Sequence, residues 1–334
     1  MKTIFPIDYK STMSLYDTQE AISLTKQTFQ KYLSDALHLK RVSAPLFVPK
    51  DSGLNDDLNG VERAVDFDIP SAKKEGTVVH SLAKWKRMAL YEYDFYVGKG
   101  LYTDMNAIRR DEELDNLHSI YVDQWDYEKI ITKKERNLKT LKMTVNNIHK
   151  CILATLATLK IKYPKIDVNL PENVYFITSE ELLQRYPNLT SKEREYEIVK
   201  QKKAVFIIGI GDKLSNGEPH DGRAPDYDDW KLNGDLIYYH KVLDCVLEVS
   251  SMGIRVDSAS MDYQLNTSNH NERRKYKYHQ MILEDKLPYT LGGGIGQSRL
   301  CMLLMGKAHI GEVQSSIWDN ETLTLAKENG VQLL

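Results

Sequence analysis

The chain has 334 residues, enough for one large hydrophobic core or two domains, and its 42% hydrophobic and 28% charged content is ordinary for a folded protein. A formal net charge of −2 gives no general attraction for a phosphate backbone, so a nonspecific nucleic-acid binder is disfavoured. No run approaches the roughly 20 apolar residues of a membrane span, and no signal-peptide core is present. The cysteines, Cys151, Cys245 and Cys301, lie far apart in apolar surroundings, as expected of reduced thiols in a cytoplasmic protein.

The first predicted element along the chain is a long helix over about residues 17–39. Apolar residues recur there at near-helical spacing, and Pro45 follows in a short extended stretch. A second long amphipathic helix is predicted around residues 138–152, where apolar residues repeat every three or four positions. On pattern alone the first helix packs on the surface of the protein, and the second carries no evident chemistry.

Strands are predicted late in the chain, at residues 174–178, 204–208, 235–239 and 245–251, which are rich in β-branched and aromatic side chains. Helices come early and strands late, without regular helical crossovers between the strands. That order favours an α+β fold, in which an antiparallel sheet is flanked by helices, over a doubly wound sheet. No repeat or linker interrupts the sequence, so one domain over residues 1–334 is expected.

A stretch rich in glycine, proline and aspartate predicts a long loop over residues 211–234. It contains an acidic cluster at Asp226, Asp228 and Asp229. Loops of this composition are often mobile and solvated, but those that persist in compact enzymes often act as lids or site walls. The residues alone favour the solvated loop.

The predicted strand near residue 250 carries a carboxylate. Period-2 alternation places Glu248 and Ser250 on one face and Cys245, Leu247 and Val249 on the other. A carboxylate in that position suits Mg²⁺, although a glutamate on a solvated strand face is the plainer interpretation.

A glycine cluster, Leu-Gly-Gly-Gly-Ile-Gly-Gln-Ser-Arg-Leu, occupies residues 291–300 and predicts a turn into a short apolar helix. Glycines and a helix N-terminus admit an anion, and Arg299 supplies a planar fork that binds phosphate. A P-loop is excluded because Gln297-Ser298 replaces the required lysine and hydroxyl residue, and too little chain follows for a dinucleotide-binding unit. A phosphate site and a packing turn both remain open.

The strand and the glycine cluster together resemble motif 3 of the class II aminoacyl-tRNA synthetases and, more closely, the ammonia-dependent asparagine synthetases (aspartate-ammonia ligases). Arg109 and its neighbours resemble motif 2. Further similar strings, in order, are residues 56–62 (DDLNGVE), 79–87 (VHSLAKWKR), 100–103 (GLYT), 118–126 (HSIYVDQWD), 223–230 (RAPDYDDW) and 232–235 (LNGD). The resemblance therefore covers nearly the whole chain.

This resemblance implies a class II synthetase-like catalytic core that uses ATP and Mg²⁺ to join aspartate and ammonia. The reaction would pass through β-aspartyl-AMP and release asparagine, AMP and pyrophosphate. It also implies a homodimer formed through the first helix and the Pro45 stretch, with no nucleic-acid or membrane partner. A tRNA synthetase is disfavoured because the matched core leaves no room for an anticodon-reading domain, and a silent regulator because the arginines and acids are present.

The resemblance also assigns residues. It implies that Arg109 contacts the α-phosphate, Arg299 holds the triphosphate, and Asp235 and Glu248 are the metal-linked carboxylates. The implied catalytic residues are Asp56, Arg109, Gln124 and Arg299. The implied substrate-binding residues are Ser81, Lys86, Asp228, Ser250, Ser251 and Arg255. The implied nucleotide-binding residues are Glu112, Gly292, Gly293, Gly294 and Gly296.

Within this set, Lys86, Gln124 and Ser251 would form the aspartate pocket, and Asp56 would hold ammonium and help to remove its proton. Asp228 would lie beside the ammonia site.

Plainer interpretations exist for several of these residues. Lys86 could be a solvated lysine on a helix that Ser81 caps, and Asp56 an Asx turn or a helix cap. His80 and His118 are given no role. The chain departs from the family pattern at Arg110, where relatives commonly have proline, so the geometry of the motif 2 loop is open.

Overall fold

A broad β-sheet organises the computed structural model, which describes residues 2–56, 58 and 62–334. The strands are β1 (Leu39–Arg41), β2 (Phe47–Pro49), β3 (Asp66–Ile69), β4 (Lys74–Val78), β5 (Gly100–Ile108), β6 (Tyr121–Ile130), β7 (Tyr175–Thr178), β8 (Ala204–Ile208), β9 (Asp228–His240), β10 (Cys245–Arg255) and β11 (Thr290–Gly296). The α-helices are α1 (Leu15–Leu37), α2 (Ala83–Glu92), α3 (Leu138–Lys162), α4 (Ser179–Arg185), α5 (Ser191–Lys202), α6 (Ser258–Thr267), α7 (Lys277–Leu283), α8 (Gln297–Met305) and α9 (Asn320–Glu328).

Within the described residues the main sheet has eight strands in the order β1-β5-β6-β11-β10-β9-β8-β7. Neighbouring strands from β5 to β8 in that order are antiparallel, whereas the two outermost pairs, β1 with β5 and β7 with β8, are parallel. A smaller sheet has the order β2-β4-β3. The predicted α+β fold with an antiparallel sheet and flanking helices is confirmed, with parallel pairs added at both edges.

One face of the main sheet is sealed by helices. Residues of α1, α3 and α8 pack with the sheet in a single apolar cluster, in which the rings of Phe29 and Trp125 lie 4.8 Å apart. On the opposite face, α4 and α5 cover the β7–β8 edge, and α2 packs near β6. Because side chains alternate between faces, this second face receives the polar residues of β6 and β10.

The two long helices are confirmed as α1 and α3, and the four late strands as β7, β8, β9 and β10. The expectation that strands gather late is wrong, because β5 and β6 are central strands in the first half of the chain. Polar side chains line one face of β6, so the segment lacks the apolar run typical of a buried strand. The helices of the described residues are all too short or too polar to cross a membrane.

The glycine cluster is a strand. The prediction of a glycine-rich turn before a helix is correct for α8 but wrong for the cluster, since residues 290–296 form β11. This strand pairs with β6 on one side and with β10 on the other. At Gly293 a Cβ atom would lie 2.5 Å from the Cβ of Met252, so a close approach between strands requires glycine there.

The predicted loop over residues 211–234 is also partly wrong, because its last seven residues belong to β9. Asp228 is the first residue of that strand and pairs with Arg255 of β10. The remaining stretch, up to residue 227, is the connection between β8 and β9.

Candidate active site

A polar cavity of about 330 Å³ lies over the sheet face opposite α1 and α3. Strands β6, β10 and β11 form its floor, and α2, the connection after β5 and the loop before β9 form its walls. The predicted site residues that line it are Asp56, Ser81, Lys86, Arg109, Glu112, Gln124, Asp228, Asp235, Glu248, Ser251, Arg255, Gly293, Gly294, Gly296 and Arg299. The structure thus brings together every predicted site residue except Ser250 and Gly292.

The glycines of β11 make room for side chains from its neighbours. A Cβ atom at Gly294 would overlap the side-chain oxygen of Gln124, and one at Gly292 would lie 2.9 Å from Nη2 of Arg255. The backbone of β11 pairs with strands on both sides, so most of its N–H groups are engaged in the sheet. The glycines therefore form a flat floor rather than a loop whose amides surround a phosphate.

Ser250 departs from the predicted strand faces. A β-bulge interrupts the pairing of β10 with β9 between Glu248 and Ser250. Ser250 pairs with Leu236 and Ile295, both core residues, and its hydroxyl donates to the Gly294 carbonyl at 2.9 Å. The prediction that Ser250 shares a face with Glu248 is wrong, because a bulge breaks the period-2 alternation. Ser251 faces the cavity instead.

The cavity follows the direction of β10. Glu248 and Arg255 are seven residues apart on this strand, which corresponds to roughly 20 Å. The arginine end of the cavity comprises Arg109, Glu112, Glu248 and Arg299. The lysine end comprises Lys86, Asp126, Asp228 and Arg255.

Lys86 is held in place by the protein at the lysine end. Its side chain is 1% exposed, and its ammonium group donates to the Gly293 carbonyl at 3.0 Å and lies 3.4 Å from Asp126. Burial lowers the pKa of Lys86, and Asp126 opposes that shift. Asp126 also accepts a hydrogen bond of 3.1 Å from the backbone N–H of Leu82, just before α2. The interpretation of Lys86 as a solvated lysine is therefore wrong.

Arg255 is fixed in the same way. Its guanidinium group contacts Glu128 at 3.1 Å and pairs with Asp228, and all three side chains are buried. Thr290 donates to the other oxygen of Glu128 at 2.7 Å. Burial raises the pKa of Asp228, while Arg255 and Arg223 oppose that shift. Every charge at the lysine end thus has a protein partner.

The arginine end is more loosely connected. Nη1 of Arg299 donates to the backbone carbonyl of Glu248 at 3.2 Å, and Arg109 lies 3.7 Å from Glu112. Nε of Arg109 is buried and has no hydrogen-bond partner among the described residues. Both guanidinium groups therefore keep donors available for an anion in the cavity.

Glu248 lies near Arg299, and its carboxylate accepts no hydrogen bond from any residue in the described ranges. Burial and the neighbouring Asp235 raise the pKa of Glu248, and Arg299 and Arg223 oppose the shift. A half-buried carboxylate under such repulsion favours an added cation.

Arg223 lies in one of the family-like strings and has no predicted role. It donates to Asp235 at 2.6 Å and also to the Ser251 hydroxyl, so it lies between the two ends. Asp126 and Glu128 were missed as well. Their signal was available, since they follow Gln124 at alternate positions and must share its face if this segment is a strand.

Asp56 is almost fully buried where it lines the cavity. Its carboxylate accepts hydrogen bonds from the Ser81 hydroxyl at 2.8 Å and from the Leu58 N–H at 3.0 Å. The second bond makes an Asx turn, so the plainer interpretation is correct alongside the cavity position. Residues 57 and 59–61 of the same family-like string lie outside the described residues.

Ser81 contributes little to capping. Its hydroxyl accepts only a long hydrogen bond of 3.4 Å from the Ala83 N–H, and α2 has no side-chain cap. Its main contact is the bond that it donates to Asp56. His80 lies behind that carboxylate, with Nδ1 3.0 Å from the Asp56 carbonyl oxygen.

Comparison with known proteins decides the family. A model of the aspartate-ammonia ligase family matches residues 16–330. The chain belongs to this family. An aspartate-ammonia ligase of Clostridium perfringens is 59% identical over 334 residues, covering all of this chain and 99% of the relative. One from Lactobacillus acidophilus is 57% identical and is covered completely.

The fold is shared with class II aminoacyl-tRNA synthetases. The asparaginyl-tRNA synthetase of Entamoeba histolytica, solved with asparaginyl-adenylate, superimposes with a TM-score of 0.66 at 15% identity. That match covers 90% of this chain and 66% of the synthetase. The asparaginyl-tRNA synthetase of Pyrococcus horikoshii, also solved with asparaginyl-adenylate, superimposes with a TM-score of 0.64 at 13% identity. That match covers 89% of this chain and 68% of the synthetase. The predicted ligase family and the class II synthetase-like fold are both confirmed.

Proposed function

We propose that the protein uses ATP to convert aspartate and ammonia into asparagine. β-Aspartyl-AMP is the intermediate, and AMP and pyrophosphate are released. The observation that carries the proposal is the arrangement of the cavity, in which arginines with open donors lie at one end and a paired lysine and aspartate at the other. An enzyme that holds a triphosphate against an amino acid needs both regions in one site. The whole chain is proposed to form this single catalytic unit.

In the activation step, an oxygen of the aspartate side chain attacks the α-phosphorus of ATP. A bond forms between that oxygen and phosphorus, and the bond to the bridging oxygen of pyrophosphate breaks. Arg109 is assigned to the α-phosphate and Arg299 to the triphosphate, where their free donors offset the charge that develops on phosphate oxygens. Such transfers depend chiefly on alignment and charge neutralisation, so these arginines carry most of the step.

Asp235 and Glu248 are assigned to Mg²⁺. The described residues contain no group of three or more His, Cys, Asp or Glu side chains that could hold a metal. Mg²⁺ in nucleotide sites commonly uses one or two carboxylates together with phosphate oxygens and water. The unpartnered carboxylate of Glu248 fits that role. When bound, the ion supplies charge neutralisation on the phosphates.

Aspartate is assigned to the lysine end. The ammonium group of Lys86 has three donors, and Gly293 and Asp126 account for two of them, so one remains for a substrate carboxylate. Gln124 and Ser251 line the same part of the floor and supply neutral polar contacts. Because Lys86 and Asp126 are already paired, little rearrangement is needed when aspartate binds.

In the amidation step, ammonia attacks the activated carbonyl and AMP leaves. The Asp56 carboxylate has accepting capacity beyond its bonds to Ser81 and Leu58, so it can bind ammonium and take up its proton. Asp228 is assigned beside the ammonia site, where it is held by Arg255.

Free ammonia is the proposed nitrogen donor. Release of ammonia from glutamine usually requires an activated cysteine. The three cysteines are buried, and burial raises the pKa of Cys151 to about 11 and those of Cys245 and Cys301 to about 12. Such thiols stay protonated and unreactive at neutral pH, and reduced thiols fit a cytoplasmic location. Asparagine made from ammonia-free glutamine as fast as from ammonium would contradict this assignment.

A homodimer is proposed through α1 and the strands that follow it. Leu46 and Phe47, next to Pro45, are exposed, and the ring of Phe47 packs edge-on against Phe67 at 4.9 Å. Apolar side chains exposed together are typical of a covered surface. Light scattering should give twice the chain mass, and Phe47→Ser should shift the population towards monomer.

The direct test of the function is incubation with ATP, Mg²⁺, aspartate and ammonium, followed by separation of nucleotides and amino acids. The expected products are AMP and asparagine in equal amounts. ADP in place of AMP would contradict the adenylate intermediate.

The role of Asp56 has its own test. Asp56→Asn should retain aspartate-dependent exchange of pyrophosphate into ATP while making little asparagine, because the amide cannot accept a proton. Equal loss of both activities would mean that Asp56 positions aspartate instead.

A further inference from the structure

The N-terminal arm, residues 2–13 ahead of α1, lies against two segments that line the cavity. One is the turn 115–119 in the connection between β5 and β6, from which Leu117, His118 and Ser119 reach the cavity. The other is the segment 307–316 after α8, which contributes Ile310 and Gln314. The family match begins at residue 16, so the arm precedes it.

Asn116 joins these three parts of the chain. Its side chain is fully buried, donates to the Ile4 carbonyl at 2.7 Å and to the Ala308 carbonyl at 2.8 Å, and accepts from the Ile4 N–H at 2.9 Å. Its own carbonyl accepts from the Ile310 N–H at 2.8 Å. The amide thus satisfies a peptide group of the arm and a carbonyl of the 307–316 segment together.

A second contact anchors the arm independently. The Tyr9 hydroxyl lies 2.9 Å from both carboxylate oxygens of Glu312. The same hydroxyl accepts a hydrogen bond of 3.2 Å from the Ala308 N–H. Lys307 lies 3.6 Å from Glu312 and donates to the Ser11 hydroxyl at 2.7 Å. The contacts of Tyr9 with Glu312 and of Ser11 with Lys307 join residues more than 290 positions apart in sequence, so the arm is fixed only in the folded chain.

The turn 115–119 is closed by hydrogen bonds to the side chain of Asp115. One oxygen of Asp115 accepts from the Leu117 N–H at 2.7 Å and the His118 N–H at 2.9 Å, and Nδ1 of His118 lies 2.9 Å from it. Burial raises the pKa of Asp115, but the bonds from His118 and Leu117 outweigh it and bring the pKa to about 2. These bonds hold the backbone of Leu117 and His118 against the Asp115 side chain.

The turn belongs to the arginine end, because the backbone N–H of Arg109 donates a hydrogen bond of 2.8 Å to the backbone carbonyl of Ile120, directly after the turn. We propose that the N-terminal arm, through Asn116, positions the 115–119 turn for ATP, so that Asn116 is a positioning residue of the nucleotide site. This inference rests on the proposed assignment of ATP to the arginine end. It predicts a selective loss of ATP affinity when the arm contact is removed.

The test compares Asn116→Ala, a deletion of residues 2–6, and the two combined, with Asn266→Ala as control. Asn266 is an exposed asparagine on α6, with a side-chain contact only to Asp262 among the described residues. Asn116→Ala and the deletion should each raise the KM for ATP about tenfold, the effect of roughly 1.4 kcal/mol of lost positioning. The KM for aspartate should change less than about twofold. The control should match the wild type.

The combined variant tests the route of the effect. If Asn116 acts through the arm, combining the changes should add little to either alone, because both remove the hydrogen bonds between Asn116 and Ile4. A synthetic peptide of residues 1–12, added to the deletion variant, should partly restore ATP affinity. Equal increases in both KM values, or additive effects, would overturn the proposal.

Calorimetric measurement of ATP binding separates this inference from the proposed function. A wild-type protein that binds ATP but makes no AMP would contradict the proposed reaction, while the variants' ATP affinity would still test the arm. If the wild-type protein has the proposed activity but its arm variants bind ATP with normal affinity, only the arm proposal is overturned.

Discussion

The two ends of the cavity differ in how completely the protein neutralises its own charges. At the lysine end, Lys86 has Asp126 and a carbonyl as partners, and Arg255 has two buried carboxylates. At the arginine end, Arg299 has a single backbone carbonyl as a hydrogen-bond acceptor among the described residues, and Glu248 has no hydrogen bond to its carboxylate there. The lysine end is organised before any substrate binds, whereas the arginine end is complete only with its ligands. Substitutions should therefore damage folding at one end and activity at the other.

The largest effect is expected at the arginine end. Arg299→Ala should lower aspartate-dependent pyrophosphate exchange by about 10³-fold, because it removes a positive charge that offsets the negative charge of the phosphate oxygens. The free energy of unfolding of this variant should differ from that of the wild type by less than about 1 kcal/mol, since the Arg299 guanidinium makes a single hydrogen bond among the described residues. Exchange assays and urea titrations measure the two quantities.

Arg274→Ala is the matched control, because Arg274 pairs with Asp262 on the surface, away from the cavity. It should leave exchange unchanged. If Arg299→Ala unfolded as easily as an Arg255→Ala variant, the contrast between the two ends would be lost.

The next largest effect is expected for Lys86→Met at the lysine end. It leaves Asp126 buried without its cation, and removing one partner of a buried pair costs about 3–5 kcal/mol. Unfolding measurements should show this loss even without substrates. Adding Asp126→Asn should recover part of the stability but no synthesis, because the carboxylate of aspartate would still lack its ammonium partner.

A stability loss for Lys86→Met below about 1 kcal/mol would mean that water reaches the pair and that the lysine end is not preorganised.

The smallest effect, and one of opposite sign, is expected for Glu248→Gln. Burial and Asp235 raise the pKa of Glu248 above its ordinary 4.5, so its ionised form destabilises the folded protein. The variant should be more stable than the wild type at neutral pH. The gain should disappear below pH 4.5, where the carboxyl is protonated in both the folded and the unfolded state.

The same variant should need roughly tenfold more Mg²⁺ for half-maximal rate, because a neutral amide is a weaker ligand for a hard cation. Thermal unfolding between pH 4 and 8 and a Mg²⁺ titration provide the measurements. An unchanged Mg²⁺ requirement would return Glu248 to the plainer interpretation of a polar residue on a strand face.

The sequence by itself determined the elements whose signal is local. The periodicity of α1 and α3 and the apolar run of β8 are properties of consecutive residues, and they predicted those elements correctly. The ordered family-like strings predicted the family and most of the cavity lining, because motif residues keep their spacing along the chain.

Only the tertiary structure decided which residues meet across strands. The glycines of β11 lack a strand-like pattern, and they form a strand because β6 and β10 pair with them and fill the space above them. The bulge in β10 directs Ser250 to the core and Ser251 to the cavity, and the contact of Arg223 with Ser251 and Asp235 depends on that register. Register is a property of two strands together, and hydrogen bonds between residues distant in sequence exist only after both have been placed.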